Sequence, residues 1–190
     1  VESTTLLYLY LNKGYLVYPV YVKTGERWEE LELENAIRLW HYTKRRYKSL
    51  QTLRVIKVGS GVKERKPLSI SQLFIPLRNL TLITNSSLYA VSKGIKRLAI
   101  GSLGIYPFPD NDKDYLKRLE SLVSEGIKDN FSIEAPFFGM EKEDIVKKFY
   151  SLVPYHLTLS CSMPRKVGGS IVPCGKCIKC KEREEALKLL

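Results

Sequence analysis

All four cysteines of this 190-residue chain stand in its last thirty residues: Cys161, then Cys174, Cys177 and Cys180 in the pattern C-x2-C-x2-C. So confined a set leaves the C-terminus few ways to fold. Four thiolates converging on one ion make the closed tetrahedral site of structural zinc. Gly168, Gly169 and Gly175 permit the tight turns that convergence requires. A bound divalent ion would depress all four thiols to thiolates. Disulfides are the main alternative, although nothing in the sequence marks secretion and two-residue spacings pair poorly. An iron–sulfur cluster is the second, since C-x2-C-x2-C also occurs in ferredoxins, where the fourth cysteine usually follows near a proline. With every thiolate consumed, the expected role is a staple rather than a catalyst. It would fix residues 154–190, ending in a helix over 181–190, to a domain formed by residues 1–153.

The rest of the chain alternates. An apolar helix over Thr4–Asn12 ends at Gly14, and the β-branched, aromatic stretch 15–23 predicts a strand. Helical periodicity follows from Gly25 to Tyr47, with Trp28, Leu31, Leu33, Ile37 and Trp40 mostly on one side and a basic end at Lys44, Arg45, Arg46 and Lys48. A strand over 52–58, a loop over 59–71, and a helix within 75–94, opened near Asn79, come next. Strand 97–102, helix 111–126, strand 131–137 and helix 141–153 complete the series. The alternation predicts an α/β fold, a Rossmann-like parallel sheet with helices on both faces and right-handed crossovers. Ligands of such sheets bind beyond the C-terminal strand ends. The residues found there are Thr24 to Arg27, Gly101, Ser102, Gly104, Pro109, Asp110, Glu141 and Lys142, with Arg78 and Asn79 at the start of a helix.

The formal charge is +11, from 31 basic and 20 acidic residues. That excess suits a polyanionic partner, nucleotide phosphates or RNA, and equally a charge-rich, solvated, thermophile-like surface. No apolar run approaches the ~20 residues of a membrane span and no signal peptide is visible, so a cytoplasmic protein is expected. Without an initiator Met, the chain reads as starting inside a longer protein.

VESTT at 1–5, IPLRN at 75–79, PFPDNDKDYL at 107–116, MEKEDIV at 140–146, and LTLSC followed by CGKCIKCKER stand in this order along the chain. Together they resemble the 7-cyano-7-deazaguanine synthases, a branch of the PP-loop (N-type) ATP pyrophosphatases. The T-x-S-C and C-G-x-C-x-x-C ending is the most specific piece. That family opens with a strand and a Ser-Gly-Gly-x-Asp-Ser phosphate loop, of which Val1-Glu2-Ser3 would be the last three positions. This sequence departs from the family at Glu2, where many members have Asp, and at Leu77, which replaces a usual Gly. It departs again at Glu26 and Trp28, where the usual G-Q-R-H reads Gly25-Glu26-Arg27-Trp28.

The resemblance implies ATP-dependent activation of the carboxylate of 7-carboxy-7-deazaguanine, attack by ammonia to give an amide, and a second activation that dehydrates the amide to the nitrile. It implies ATP and Mg2+, with Zn2+ on the cysteines. Ser3 and Thr4, at the start of a helix, would face the phosphates. Glu2 would help hold magnesium, Arg78 and Lys142 would contact phosphate or carboxylate, and Asn79 and Gly101 would shape the nucleotide pocket. Arg27, Trp28 and Asp110 would lie near the substrate, with Asp110 accepting from a purine-like base and Trp28 stacking. Plain structural readings stand beside these: a surface ion pair for Arg78, a helix cap for Asn79, a charged helix start for Lys142, a Pro-Asp turn for Asp110 and core packing for Trp28. A homodimer is usual in the family, and ammonia would come free or from an amidotransferase partner. Three other functions stay open. One is a PP-loop enzyme thiolating or amidating tRNA along Lys44–Lys48, Lys63, Arg65 and Lys66. Another is a zinc-bearing nucleic-acid-binding module, and the last a member that binds ATP without turnover.

Overall fold

The computed structural model describes residues 1–59 and 74–188. Beyond Gly59, the loop expected over 59–71 lies outside the described residues. The elements, in order, are α1 (Glu2–Asn12), β1 (Val20–Lys23), α2 (Glu29–Arg46), β2 (Arg54–Lys57), α3 (Arg78–Ser92), β3 (Arg97–Ala99), α4 (Lys113–Ile127), β4 (Ser132–Glu134) and α5 (Lys142–Phe149). A 3-10 turn (Tyr155–Leu157), β5 (Arg165–Val167), β6 (Ser170–Val172) and α6 (Ile178–Leu187) follow. The chain forms two compact units, one of Val1–Leu73 with Glu141–Leu190, the other of Phe74–Met140.

The expected α/β class with parallel strands is present. In the first unit β1 and β2 run parallel, with Val20 opposite Arg54 and Lys23 opposite Lys57. In the second, β3 and β4 run parallel, with Arg97 opposite Ser132 and Ala99 opposite Glu134. Each strand is shorter than its apolar stretch. Pro19 has no N–H for the ladder, so β1 starts at Val20; upstream, only a bridge from Val17 to Leu50 continues the pairing. Strand β4 stops before Pro136 for the same reason. The hairpin β5–β6, turning at Gly168 and Gly169, has no counterpart in the sequence reading.

Helix α2 has its acidic residues first and its basic residues last, as the peptide dipole favours. Its buried face differs from the expected one. Ile37 is exposed, whereas Leu39 and Thr43 are buried. Thr43 buries its hydroxyl without penalty because it donates to the Leu39 carbonyl and meets the Tyr8 hydroxyl at 2.9 Å. Trp40 spends its indole N–H on the Gln51 carbonyl, 2.8 Å away.

The first unit's core joins Val1 and Tyr8 of the N-terminal stretch to Val146, Val153, Tyr155 and Ala186. Val146 and Ile145 are fully buried, and each contributes on the order of 1.5–3 kcal/mol. The second unit's core is Ile83 on α3 with Leu116 and Leu119 on α4. There Gly104, at φ +69°, lies against Phe138; a Cβ at this position would stand 2.2 Å from the ring. Among the described residues no helix is long and apolar enough to cross a membrane.

Candidate functional site

The four cysteines converge. All four Sγ atoms lie within 4.8 Å of one another, with Cys177 and Cys180 3.5 Å apart and Cys174 and Cys180 3.9 Å apart. A tetrahedral ion with thiolates at ~2.3 Å sets its sulfurs about 3.8 Å apart. The spacing therefore fits one ion, whereas a cluster carries its thiolates on separate irons and spreads them wider. All four are free rather than bridged.

Local backbone creates the convergence. Gly175 takes φ +70°, which turns the chain between Cys174 and Cys177. The N–H groups of Lys176 and Cys177 then donate to Cys174 Sγ at 3.4 Å, and those of Cys174 and Met163 to Cys161 Sγ at 3.2 and 3.3 Å. Cys177 is the N-cap of α6, so this helix starts three residues before the expected 181 and carries Cys180 in its first turn. Burial raises the Cys174 thiol, but the two donors outweigh it and hold it at about 7. Cys161 and Cys180 are pushed upward, first by burial. Crowded thiols resist joint ionisation unless a cation binds them, so the donor set fits a divalent metal.

The residues expected at the phosphate end of α1 are placed as follows. Glu2 opens the helix, Ser3 is exposed and Thr4 buried. Lys142, the first residue of α5, is buried rather than solvent-facing. Its Nζ lies 3.1 Å from Glu2 Oε1 and 2.9 Å from Glu182 Oε2. Burial opposes the lysine's charge, yet Glu2 and Glu182 outweigh it and raise its pKa. Burial likewise opposes the Glu2 charge, and the Lys142 ammonium beside it favours that charge. Glu182 escaped the sequence reading because it stands in the run KEREE, which reads as a solvated helix face.

After β1, Arg27 is exposed and Trp28 buried, with Lys179 of α6 4.5 Å from its ring centroid. The turn is organised by Glu29, whose carboxylate accepts from the N–H groups of Thr24 and Gly25. Burial and a hydrogen bond shared with Glu26 raise the Glu29 pKa. This carboxyl pair was also missed; the signal is Glu26 where the resembled family has Gln.

In the second unit Asn79 and Asp110 clamp each other. The Asn79 N–H donates to Asp110 Oδ2 and its side-chain amide to the Asp110 carbonyl, both at 3.0 Å. Buried Asp110 thus caps α3, and one of its carboxylate oxygens is occupied. Arg78 is half-buried in the first turn of α3, and Gly101 lies in the loop beyond β3. Leu77 precedes α3 at φ +61° with its side chain exposed, the left-handed conformation that the family's usual glycine adopts freely. Of the expected RNA track, Lys44 is turned inward onto the carbonyls of Lys48 and Leu50, and Arg46 lies over the Tyr47 ring. Lys63, Arg65 and Lys66 lie outside the described residues.

Comparison with known proteins matches residues 1–190 to the family described as queuosine biosynthesis protein QueC. The chain is 30% identical to the 7-cyano-7-deazaguanine synthase 1 of Desulfitobacterium hafniense, over all of this chain and 88% of that protein. It is 29% identical to the 7-cyano-7-deazaguanine synthase of Caldicellulosiruptor bescii, over 99% of this chain and 88% of that one. The Aquifex aeolicus protein of the same name is 28% identical, over 99% and 92%.

Proposed function

The chain belongs to the queuosine biosynthesis protein QueC family, and on that premise we propose that it converts 7-carboxy-7-deazaguanine, ammonia and ATP into 7-cyano-7-deazaguanine. The observation that carries the reading is the full-length match, supported by relatives of that name that align over nearly all of the chain. In this reading residues 1–153 supply the ATP-binding part and residues 154–190 the metal-binding part.

The substrate carboxylate attacks the α-phosphorus of ATP, and pyrophosphate leaves. Ammonia displaces AMP from the mixed anhydride and gives the amide. The amide oxygen is activated by a second ATP in the same way and departs with AMP, while the nitrogen loses its protons. The protein's share is orientation and charge. In the first unit, Ser3, Thr4 and the N–H groups opening α1 would meet phosphate, and Arg27 and Trp28 the deazapurine. In the second unit, taken by itself, Arg78 would bind phosphate or carboxylate, and Asn79, held by Asp110, and Gly101 would bind the nucleotide. Lys142 acts from behind Glu2 rather than by direct contact. Magnesium, when bound, would offset phosphate charge, and Glu2, the first residue of α1, would help hold it. Zinc, when bound, would be held by Cys161, Cys174, Cys177 and Cys180 and would serve as a structural staple.

The test is pyrophosphate release that depends on both 7-carboxy-7-deazaguanine and ammonia. Release driven instead by tRNA, and suppressed by salt, would move the chain to the tRNA-acting PP-loop enzymes.

A further inference from the structure

Helix α6 bears Cys180, one of the four converging cysteines, and two residues later Glu182, whose carboxylate reaches α1 through one buried lysine. Lys142 Nζ is shared between Glu182 Oε2 at 2.9 Å and Glu2 Oε1 at 3.1 Å, with the lysine side chain only 9% exposed. The next residue, Arg183, donates to the Tyr155 carbonyl at 3.0 Å and to Thr158 Oγ1 at 3.3 Å, and the Tyr155 hydroxyl meets Thr5 Oγ1 at 3.0 Å. Two routes thus join the cysteine-bearing helix to the first turn of α1.

We propose that Glu182 is a positioning residue for magnesium-nucleotide binding, acting on Glu2 through Lys142. The inference rests on the nucleotide reading above. Two carboxylates around one ammonium leave the triad with one net negative charge. An ammonium is a point charge with three donors, so it can serve both acids at once. Neutralise Glu182 and Glu2 becomes the only carboxylate of the triad left to the lysine. The remaining pair is neutral, and a magnesium ion must compete with the ammonium for the Glu2 carboxylate. A triad that merely glued three helices together would affect melting but not magnesium dependence.

The experiment uses full-length protein with its bound metal quantified. Binding of Mg2+ with α,β-methylene-ATP is measured by calorimetry across a magnesium series, for wild type, Glu182→Gln and Glu182→Asp. In Glu182→Gln the magnesium needed for half-saturation rises about tenfold, the scale of losses at residues that orient a metal's ligands. The metal content and the circular dichroism spectrum are unchanged. Glu182→Asp, which keeps the charge, stays within about twofold of wild type; if Glu182→Gln fails to fold, Glu182→Ala, which also removes the charge, is measured in its place. Equal magnesium dependence in folded Glu182→Gln overturns the proposal, as does a loss in Glu182→Asp as large as that in Glu182→Gln. Wild-type protein that binds no nucleotide refutes the underlying reading instead, a result distinct from either.

Discussion

Leu77 and the Glu26–Glu29 pair show how single departures from a family pattern carry a measurable cost. An L-residue in the left-handed region costs ~1–2 kcal/mol, and exposed Leu77 recovers little of it by packing. Leu77→Gly, after the extra chain entropy of glycine, raises stability by about 0.5–1 kcal/mol, measurable as a higher Tm or denaturant midpoint. Glu29 presents a different case. Its pKa is raised by burial and by Glu26, so the folded state holds its proton more tightly than the unfolded chain does. This contribution is complete below the ordinary carboxyl value of 4.5 and fades as pH rises above it through the raised folded value. Glu26→Gln places an amide donor beside Glu29 and removes the need for that proton. The variant matches wild type near pH 4 and exceeds it by about 1 kcal/mol at neutral pH. Urea titrations at the two pH values check this; a gap that stays constant with pH would count against proton sharing.

Helix α3 is held at its start by a residue from a distant loop. No side chain within the helix caps it; the buried carboxylate of Asp110 accepts the Asn79 N–H instead. Asp110→Ala leaves that donor unpaired and costs about 1–2 kcal/mol, read from the denaturant midpoint of the unfolding transition. The elements themselves were largely legible, since apolar stretches and helical periodicity placed every parallel strand and each of α1 to α5 within a few residues. What periodicity does not encode is which polar group spends itself internally. The face of α2 was misassigned because Thr43 is buried through its hydrogen bonds, not through hydrophobicity. Hairpin β5–β6 was missed because strands of three residues, exposed except for Ile171, have no buried face to pattern. Lys142 read as a phosphate or carboxylate contact or a charged helix start, and Glu182 as part of a solvated run, since only the folded chain sets them face to face. The cysteines were legible because four thiols in one segment admit few arrangements.

The four converging cysteines bear on the whole first unit, because α6 both opens at Cys177 and contributes Ala186 to the core that holds Val1, Tyr8 and Val146. Zinc bound there would couple to the folding of the first unit. Purified full-length protein should contain one zinc per chain by elemental analysis. Cys161→Ser, which removes the one ligand outside the C-x2-C-x2-C stretch, should lower zinc occupancy and reduce Tm by several degrees. Full thermal stability without zinc would show the sulfurs to be a packing feature alone. The proposal that joins these observations is nitrile synthesis by carboxylate activation, and it has a direct test. Full-length protein is incubated with ATP, magnesium, ammonia and 7-carboxy-7-deazaguanine, and the product is followed by mass spectrometry with pyrophosphate measured in parallel. We expect 7-cyano-7-deazaguanine to accumulate together with pyrophosphate; folded, zinc-loaded protein that forms neither would contradict it.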